Sequence, residues 1–302
     1  MTFANVRKGD SGAAPASLLR LALGPALACG LLFGAAPAFA QAGCDRAALQ
    51  AATDDYLAAQ TAGDPLKMHM GLWVDYQEQL GPASMATGIL STAHKIDFHR
   101  SLLDTQSCSS FTEAVINEPA HPYVIGTIVG FRGGQIGQIQ TLITDHDKGW
   151  LFNAANTMKY SAAENWSEIP PAERDSRDTL IAAANAYLDL FNDKTVVVPW
   201  GTPCERLEGG LYTSKAAPGA TLPDDSCNVG VPSGVKITDR QYVVDETLGA
   251  VAVLSNFGAN QSPDFHTFRV EHGKLRYVHT ITVCKVYNCG FKLPAQLQAP
   301  AG

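Results

Sequence analysis

The chain reads Arg46-Ala-Ala-Leu-Gln-Ala-Ala-Thr-Asp-Asp-Tyr-Leu57 and, 131 residues later, Arg177-Asp-Thr-Leu-Ile-Ala-Ala-Ala-Asn-Ala-Tyr-Leu188. Both stretches space their apolar residues as one face of an α-helix does. Two later blocks recur in the same order, Lys95-Ile96 with Asp104 as Lys236-Ile237 with Asp245, and Gly134–Thr141 as Gly273–Thr280. Three matching blocks indicate a duplicated domain, with roughly ten extra residues between the helix and the first long strand of the second copy.

The first forty residues have the pattern of a cleavable secretory signal. Basic residues precede an apolar run over Leu21–Ala38, which closes with the small-residue site Ala38-Phe-Ala40. We expect cleavage after Ala40, no membrane anchor afterwards, and a secreted or periplasmic product. A retained anchor is the alternative.

The remaining chain is acidic. Removing residues 1–40 takes away three basic residues and one acidic residue, which lowers the net charge from −7 to about −9. Without a cluster of Lys and Arg, such a chain is a poor candidate for binding nucleic acid or an anionic membrane.

Six cysteines remain once Cys29 leaves with the signal segment. An even number in an exported chain indicates disulfides rather than a metal site. Six cysteines allow fifteen pairings, and zinc is the competing interpretation, although the chain lacks a Cys-x2-Cys motif. We expect no metal and no cofactor. Proximity in sequence favours the pairs Cys204–Cys227 and Cys284–Cys289, which leaves Cys44 to pair with Cys108.

After its helix, each copy changes to the alternating pattern of β-strands. The second copy shows these strands at Tyr242–Asp245, Ala250–Leu254, His266–Val270 and Leu275–Val283, the last two joined by a hairpin. The first copy follows with Phe111–Asn117, Tyr123–Phe131 and Gln135–Asp145, and adds a strand at Trp150–Ala155. The predicted organisation is a signal segment 1–40, repeat 1 at 44–160, a linker at 161–175, repeat 2 at 176–293 with an inserted disulfide loop at 199–232, and a flexible tail at 294–302.

Two passages carry a resemblance to a known fold, Tyr242-Val-Val-Asp-Glu-Thr-Leu-Gly-Ala-Val-Ala-Val253 and His266-Thr-Phe-Arg-Val-Glu-His-Gly-Lys-Leu275. They resemble the NTF2-like fold, the family of SnoaL-type cyclases and ketosteroid isomerases. That resemblance implies an α+β protein in which each N-terminal helix packs on a curved antiparallel sheet to form a cone. It also implies that the two cones pack sheet to sheet, as an intramolecular pseudo-dimer within a monomer.

A second resemblance covers nearly the whole mature chain. Through Pro199-Trp-Gly-Thr-Pro-Cys-Glu-Arg-Leu-Glu-Gly-Gly210 the chain looks like a secreted family of fungi and some bacteria. This resemblance supplies no activity to carry over.

Histidines are the first candidate chemical groups. Strand alternation sets His266 and Phe268 on one face of their strand, and Tyr277 and His279 on one face of the partner strand. In the apolar pocket of a cone, two histidines could exchange protons near neutral pH. The aligned residues of the first copy are Ile125 and Gln140, which predicts that the site lies in the second copy. The alternative is a structural role for both histidines.

Acidic and loop residues are the second candidates. Asp245 matches Asp104 of the first copy, which favours a turn or cap, although Asp245 could also be a general base. A loop over the pocket could supply an aromatic wall, an anion-binding Arg and a carboxylate, and its candidates are Trp200, Arg206, Glu208 and Tyr212. The alternative is a surface loop that is held by a disulfide and has no role in a site.

We therefore expect an exported, cofactor-independent enzyme that applies acid–base chemistry to a small, partly apolar organic molecule, as an isomerase, cyclase, dehydratase or lyase. A carrier that uses the same pocket without chemistry is one alternative. A structural partner-binding module is another, because fold does not fix function.

Overall fold

A computed structural model describes residues 44–213, 227–228 and 230–292. The predicted signal segment 1–40, the predicted tail 294–302 and part of the predicted inserted loop lie outside the described residues. The described residues belong to one compact unit.

The same order of elements occurs twice, which confirms an α+β chain with two similar halves. Repeat 1 contains α1 (Arg46–Ala62), β1 (Met70–Glu78), β2 (Gly81–Pro82), β3 (Phe98–Asp104), β4 (Ser109–Ile116), β5 (Tyr123–Arg132), β6 (Gln135–Thr144) and α2 (Ala154–Ala163). Repeat 2 contains α3 (Arg177–Asp189), β7 (Trp200–Glu208), β8 (Leu211–Tyr212), β9 (Ile237–Asp245), β10 (Ala250–Phe257), β11 (Ser262–Glu271) and β12 (Lys274–Thr282).

The opening helix of each repeat starts at a side-chain cap. Asp45 accepts a hydrogen bond from the backbone N–H of Ala48, and Ser176 does the same for Thr179. Such caps satisfy N–H groups that have no partner inside the helix. The inward faces bury Tyr56 of α1 and Tyr187 of α3 completely, so each helix is held by packing on its own sheet.

Each repeat forms one mixed six-stranded sheet. The strand orders are β2-β1-β6-β5-β4-β3 and β8-β7-β12-β11-β10-β9. Neighbouring strands are antiparallel except for β1 with β6 and β7 with β12, which are parallel. The prediction of antiparallel sheets was therefore incomplete. A tight hairpin forces its two strands to be antiparallel, but no hairpin joins these pairs, and only tertiary packing sets their direction.

The predicted loop 199–232 begins as strand rather than loop. Glu205 of β7 lies opposite Tyr277 of β12, just as Asp75 of β1 lies opposite Gln138 of β6. Residues 213–236 separate β8 from β9, whereas residues 83–97 separate β2 from β3. The extra residues of repeat 2 therefore follow β8.

The strand predicted at Trp150–Ala155 is wrong. Helix α2 begins at Ala154, and Asn153 caps it by accepting a hydrogen bond from the N–H of Asn156. An Asn before a run of good helix formers favours a helix start over a strand. Because α2 ends at Ala163, it also extends into the segment predicted as a linker, 161–175.

The two sheets pack against each other through an apolar core between the repeats. The rings of Phe111 and Phe265, one from each repeat, lie 4.8 Å apart. Gly126 allows this approach, because a Cβ at that position would lie 2.7 Å from the Phe265 ring. Buried residues of both repeats share this cluster, including Leu102, Val115, Val243, Leu254 and Ile281.

Two aspartates exchange contacts between the repeats. Asp104 at the end of β3 binds both terminal nitrogens of Arg177, each at 2.8 Å, and accepts the backbone N–H of Val244. Asp245 at the end of β9 reciprocally binds Arg46 at 2.7 Å and accepts the N–H of Leu103 at 2.9 Å. Both carboxylates also accept N–H groups of the turns that follow them. This symmetric exchange ties each helix start to the opposite sheet.

The described cysteines form the three predicted disulfides. These bonds are Cys44–Cys108, Cys204–Cys227 and Cys284–Cys289. The first holds the start of α1 beside the β3–β4 turn, and the second ties β7 to the segment ahead of β9. Disulfides of this number are typical of proteins that fold in an oxidising compartment.

Candidate functional site

A cavity of about 550 Å³ opens at one end of the second sheet, beyond the C-terminus of α3. Its size is in the range of small-molecule sites. The wall is mainly apolar and includes Leu151, Phe191, Leu211, Val231, Pro232, Val235, Phe257 and Phe291. Its polar members include Arg206, Glu208, His266, Thr280 and Thr282.

A buried aspartate–histidine pair lies at the cavity wall. Asp264 and His266 are two residues apart on β11, so their side chains leave the same face of the sheet. Nδ1 of His266 is 2.5 Å from Oδ2 of Asp264, and Thr282 donates to Oδ1 of Asp264 at 2.5 Å. A proton on Nδ1, held by the carboxylate, leaves Nε2 as an acceptor on a ring that lines the cavity. This pair can take up and return a proton.

An arginine–glutamate pair is the second charged pair at the cavity wall. Nε of Arg206 lies 2.9 Å from Oε1 of Glu208, and Arg206 also donates to the carbonyl of Cys227 at 3.1 Å and to the Tyr187 hydroxyl at 3.5 Å. The indole of Trp150 donates to Oε2 of Glu208 at 3.3 Å. Burial by itself would lower the pKa of Arg206, but Tyr187 and Glu208 raise it above its ordinary value. Arg206 therefore remains a cation whose donors face protein acceptors.

Repeat 1 completes this wall of the cavity. The N–H of Trp150 donates to the carbonyl of Thr282, and the N–H of Leu151 donates to the side chain of Asn288 at 2.7 Å. The carbonyl of Leu151 accepts from Gly210. The segment after β6 is thus fixed against repeat 2, which explains why Trp150 reaches Glu208.

The two predicted histidines lie on opposite faces of their sheet, which corrects the prediction that they converge. His266 lies opposite Thr280 in the ladder, whereas His279 lies opposite Thr267. The register changes between Arg269 and Val270, where β12 carries one extra residue. A bulge of one residue turns every side chain beyond it to the other face.

The same bulge explains where neighbouring side chains point. Thr280 and Thr282 line the cavity, whereas Arg269 contacts Ser167 and Tyr277 contacts Asn165, both in the segment that follows α2.

His279 lies between two carboxylates in the interface of the repeats. Its Nδ1 is 3.0 Å from Glu113 of β4, and its Nε2 is 2.6 Å from Glu164, just after α2. Burial would lower the pKa of His279, but the charges of Glu164 and Glu113 raise it to about 9. Burial would likewise raise the pKa of Glu113, but His279 and the nearby Arg100 bring it down to about 2. His279 is therefore a buried cation that joins the repeats.

The other predicted site residues lie outside the cavity. Phe268 is fully buried under Tyr187, and Trp200 packs edge-on against Tyr187 in the same core. Tyr277 stacks on Trp166 at 5.7 Å, and Tyr212 packs on Tyr160 of α2. The carboxylate of Asp245 accepts a hydrogen bond from Arg46 in the contact between the repeats, so we assign it no chemical role.

The two repeats differ at the position of His266. By strand register its counterpart is Thr127 rather than Ile125, because Thr127 lies opposite Thr141 as His266 lies opposite Thr280. The hydroxyl of Thr127 contacts Tyr56 at 2.8 Å, as the ring of His266 packs on Tyr187. The prediction that Gln140 corresponds to His279 agrees with the register.

Sequence reasoning missed Asp264, Thr282, Glu113 and Glu164. A signal for Asp264 was available, because an acidic residue two positions before a strand histidine shares its face. No local signal could have found Glu113 or Glu164, since both approach His279 from other elements.

Over residues 44–213, 227–228 and 230–292, no group of three or more His, Cys, Asp or Glu side chains could hold a metal ion. In the same part of the chain, no helix is long and apolar enough to cross a bilayer.

Residues 173–282 match the model of a family described as a domain of unknown function (DUF8021). The matched segment includes α3 and the strands of repeat 2 that surround the cavity. Comparison with curated proteins and with solved structures found no significant match.

Proposed function

We propose that the protein is an exported, cofactor-independent enzyme that uses His266 to move a proton on a small, partly apolar organic molecule. The observation that carries this proposal is the Asp264–His266 pair on the wall of a largely apolar cavity. Asp264 orients the ring, and His266 presents Nε2 to a bound molecule. Isomerisation, cyclisation, dehydration and lyase cleavage each begin with such a proton transfer.

The proposal includes the fold family and the compartment. Tandem NTF2-like cones are supported by a helix and a six-stranded sheet in each half, and by the interface between the two sheets. That interface occupies one face of each sheet, which supports a monomer that acts as an intramolecular pseudo-dimer. Export is supported by the three disulfides.

The test compares three oxidised proteins: the wild type, His266→Gln and His279→Gln. Each is incubated with a metabolite extract of the source organism, and all masses are followed by chromatography and mass spectrometry. At a temperature at which both proteins are folded, we expect the wild type and His279→Gln to convert the same compound, and His266→Gln to convert it at least about 100-fold more slowly. Equal conversion by His266→Gln would refute the role of His266.

If the wild type and His266→Gln both retain an unchanged compound, the protein is a carrier. In that case the cavity binds without chemistry, and the Asp264–His266 pair is a fixed polar contact. Circular dichroism of each variant, with thermal melting, shows whether a lost activity reflects lost folding.

A partner-binding module is favoured by a separate observation on repeat 1. Leu66, Leu72 and Trp73 are exposed to 84%, 109% and 84%. Exposed apolar side chains near one another in sequence are typical of contact surfaces. A Leu72→Ser/Trp73→Ser variant that keeps its melting temperature but loses a partner recovered with the wild type would support this alternative.

A further inference from the structure

Four charged or ionisable groups of the described residues lie at the cavity, and they form two pairs. Arg206 pairs with Glu208, and His266 pairs with Asp264. With His266 protonated, the charges of the four groups sum to zero, and with His266 neutral they sum to −1. In neither state do these four groups, within the described part of the chain, present an uncompensated positive charge to the cavity.

Arg206 is the only group of the four that is always cationic, and its contacts turn it toward the protein. Its donors reach the Glu208 carboxylate, the Cys227 carbonyl and the Tyr187 hydroxyl. A carboxylate or phosphate entering the cavity would lose its water and would have to compete with Glu208 for the same guanidinium. The expectation that Arg206 binds an anion therefore does not hold for this arrangement.

Among the four ionisable groups, acceptors are what remains for a ligand. Nε2 of neutral His266 is an acceptor, and the Glu208 oxygens keep lone pairs beside their bonds to Arg206 and Trp150. Phe257, Val235 and Phe291 offer apolar surface, and Asn260, Ser262 and Thr280 add polar groups without charge.

We propose that the cavity of repeat 2 selects a neutral or cationic apolar molecule that carries an O–H or N–H donor, and that it discriminates against anions of the same shape. This inference rests on the proposed function, since it assumes that the cavity receives a small molecule. The apolar body packs on the wall, and the donor binds His266 or Glu208.

Three probes that share a naphthalene ring and differ in the charge of their substituent test the charge selection: 2-naphthol, 2-naphthylmethylamine and 2-naphthoic acid. Binding to the oxidised protein is measured by isothermal titration calorimetry at pH 7.5. We expect the naphthol and the amine to bind at least about tenfold more tightly than the naphthoate. Binding of the naphthoate as tightly as the naphthol overturns the inference.

Glu208→Gln provides the decisive variant, because it leaves Arg206 without its carboxylate. We expect this variant to bind the naphthoate at least about fivefold more tightly and the amine more weakly. The matched control is Glu78→Gln, since Glu78 has the same register in repeat 1 as Glu208 in repeat 2. The control is expected to leave all three affinities unchanged, and an unchanged ratio in Glu208→Gln overturns the inference.

Failure of the inference is distinguishable from failure of the proposed function. Preference for the naphthoate removes only the charge selection and leaves a ligand site. Absence of binding by all three probes removes the ligand site itself, and the inference with it.

Discussion

Replacement of His279 by Gln is expected to destabilise the interface between the repeats. His279 is buried and contacts Glu113 at 3.0 Å and Glu164 at 2.6 Å. Gln is the residue found at the corresponding position of repeat 1, Gln140, so the backbone there accommodates it. The substitution leaves two buried carboxylates without their shared cation, and breaking a buried ion pair in this way costs about 3–5 kcal/mol.

The pH dependence gives an independent magnitude. Raising the pKa of His279 from its ordinary 6.5 to about 9 corresponds to about 3 kcal/mol of stability. Because the pKa is higher in the folded state, this stability is fully present below pH 6.5 and is lost as the pH rises through about 9.

The carboxylate side of the pair behaves in the opposite sense. The pKa of Glu113 falls from 4.5 to about 2, so its contribution is present above pH 4.5 and is lost as the pH falls through about 2. Stability from this pair is therefore highest between about pH 4.5 and 6.5.

Thermal melting by circular dichroism, from pH 5 to pH 10, measures this effect on the oxidised protein. The reference is the double variant His279→Gln/Glu113→Gln, which removes both charges of one pair. Between pH 6.5 and pH 9.5 the wild type should lose about 3 kcal/mol relative to the double variant, or about 6–12 °C in melting temperature. Parallel melting curves for the two proteins across this range would refute the assignment of His279 as a buried cation.

Three further predictions concern stability. Asp104→Asn removes the charge that holds a helix start of the other repeat, and the free energy of unfolding should fall by about 3 kcal/mol in urea titrations at pH 7. Gly126→Ala sets a Cβ about 2.7 Å from the Phe265 ring, and overpacking should lower the free energy of unfolding by about 1–3 kcal/mol. Cys204→Ser/Cys227→Ser opens a bond across 23 residues, and the loss of about 3 kcal/mol should appear as a lower melting temperature.

Each of these three predictions has an outcome that contradicts it. Wild-type stability of the Asp104 variant would mean that the exchange between the repeats contributes nothing net. A Gly126 variant of unchanged stability would mean that the interface relaxes around the added methyl group. Loss of the disulfide without a change in melting temperature would mean that the segment ahead of β9 is held by other contacts.

Much of the architecture could be predicted from local sequence. Helices α1 and α3 follow from apolar spacing and from Asp45 and Ser176 as caps. The alternating pattern predicted the later strands of both sheets and the hairpin of β11 with β12, and an even number of cysteines in a chain with a secretory signal predicted the disulfides. Local patterns did not predict that β1 and β7 run parallel to the last strand of each sheet. No local signal sets the direction of two strands that are far apart in sequence.

The candidate site was predicted only in part. Arg206, Glu208 and His266 do line one cavity, but His279 and Asp245 belong to the interface. Asp264 shares a face with His266 and could have been found by the same alternation that was applied to the hairpin.

Local sequence is enough to identify two copies of one helix-and-sheet unit, because periodicity and caps are properties of neighbouring residues. Which side chains meet depends instead on how distant segments pack. One extra residue in β12 turns His279 away from His266, since side chains alternate with a period of two and a shift of one residue exchanges the faces. His279 then meets Glu113 and Glu164, which come from elements more than a hundred residues away, and His266 is left with Asp264 at the cavity.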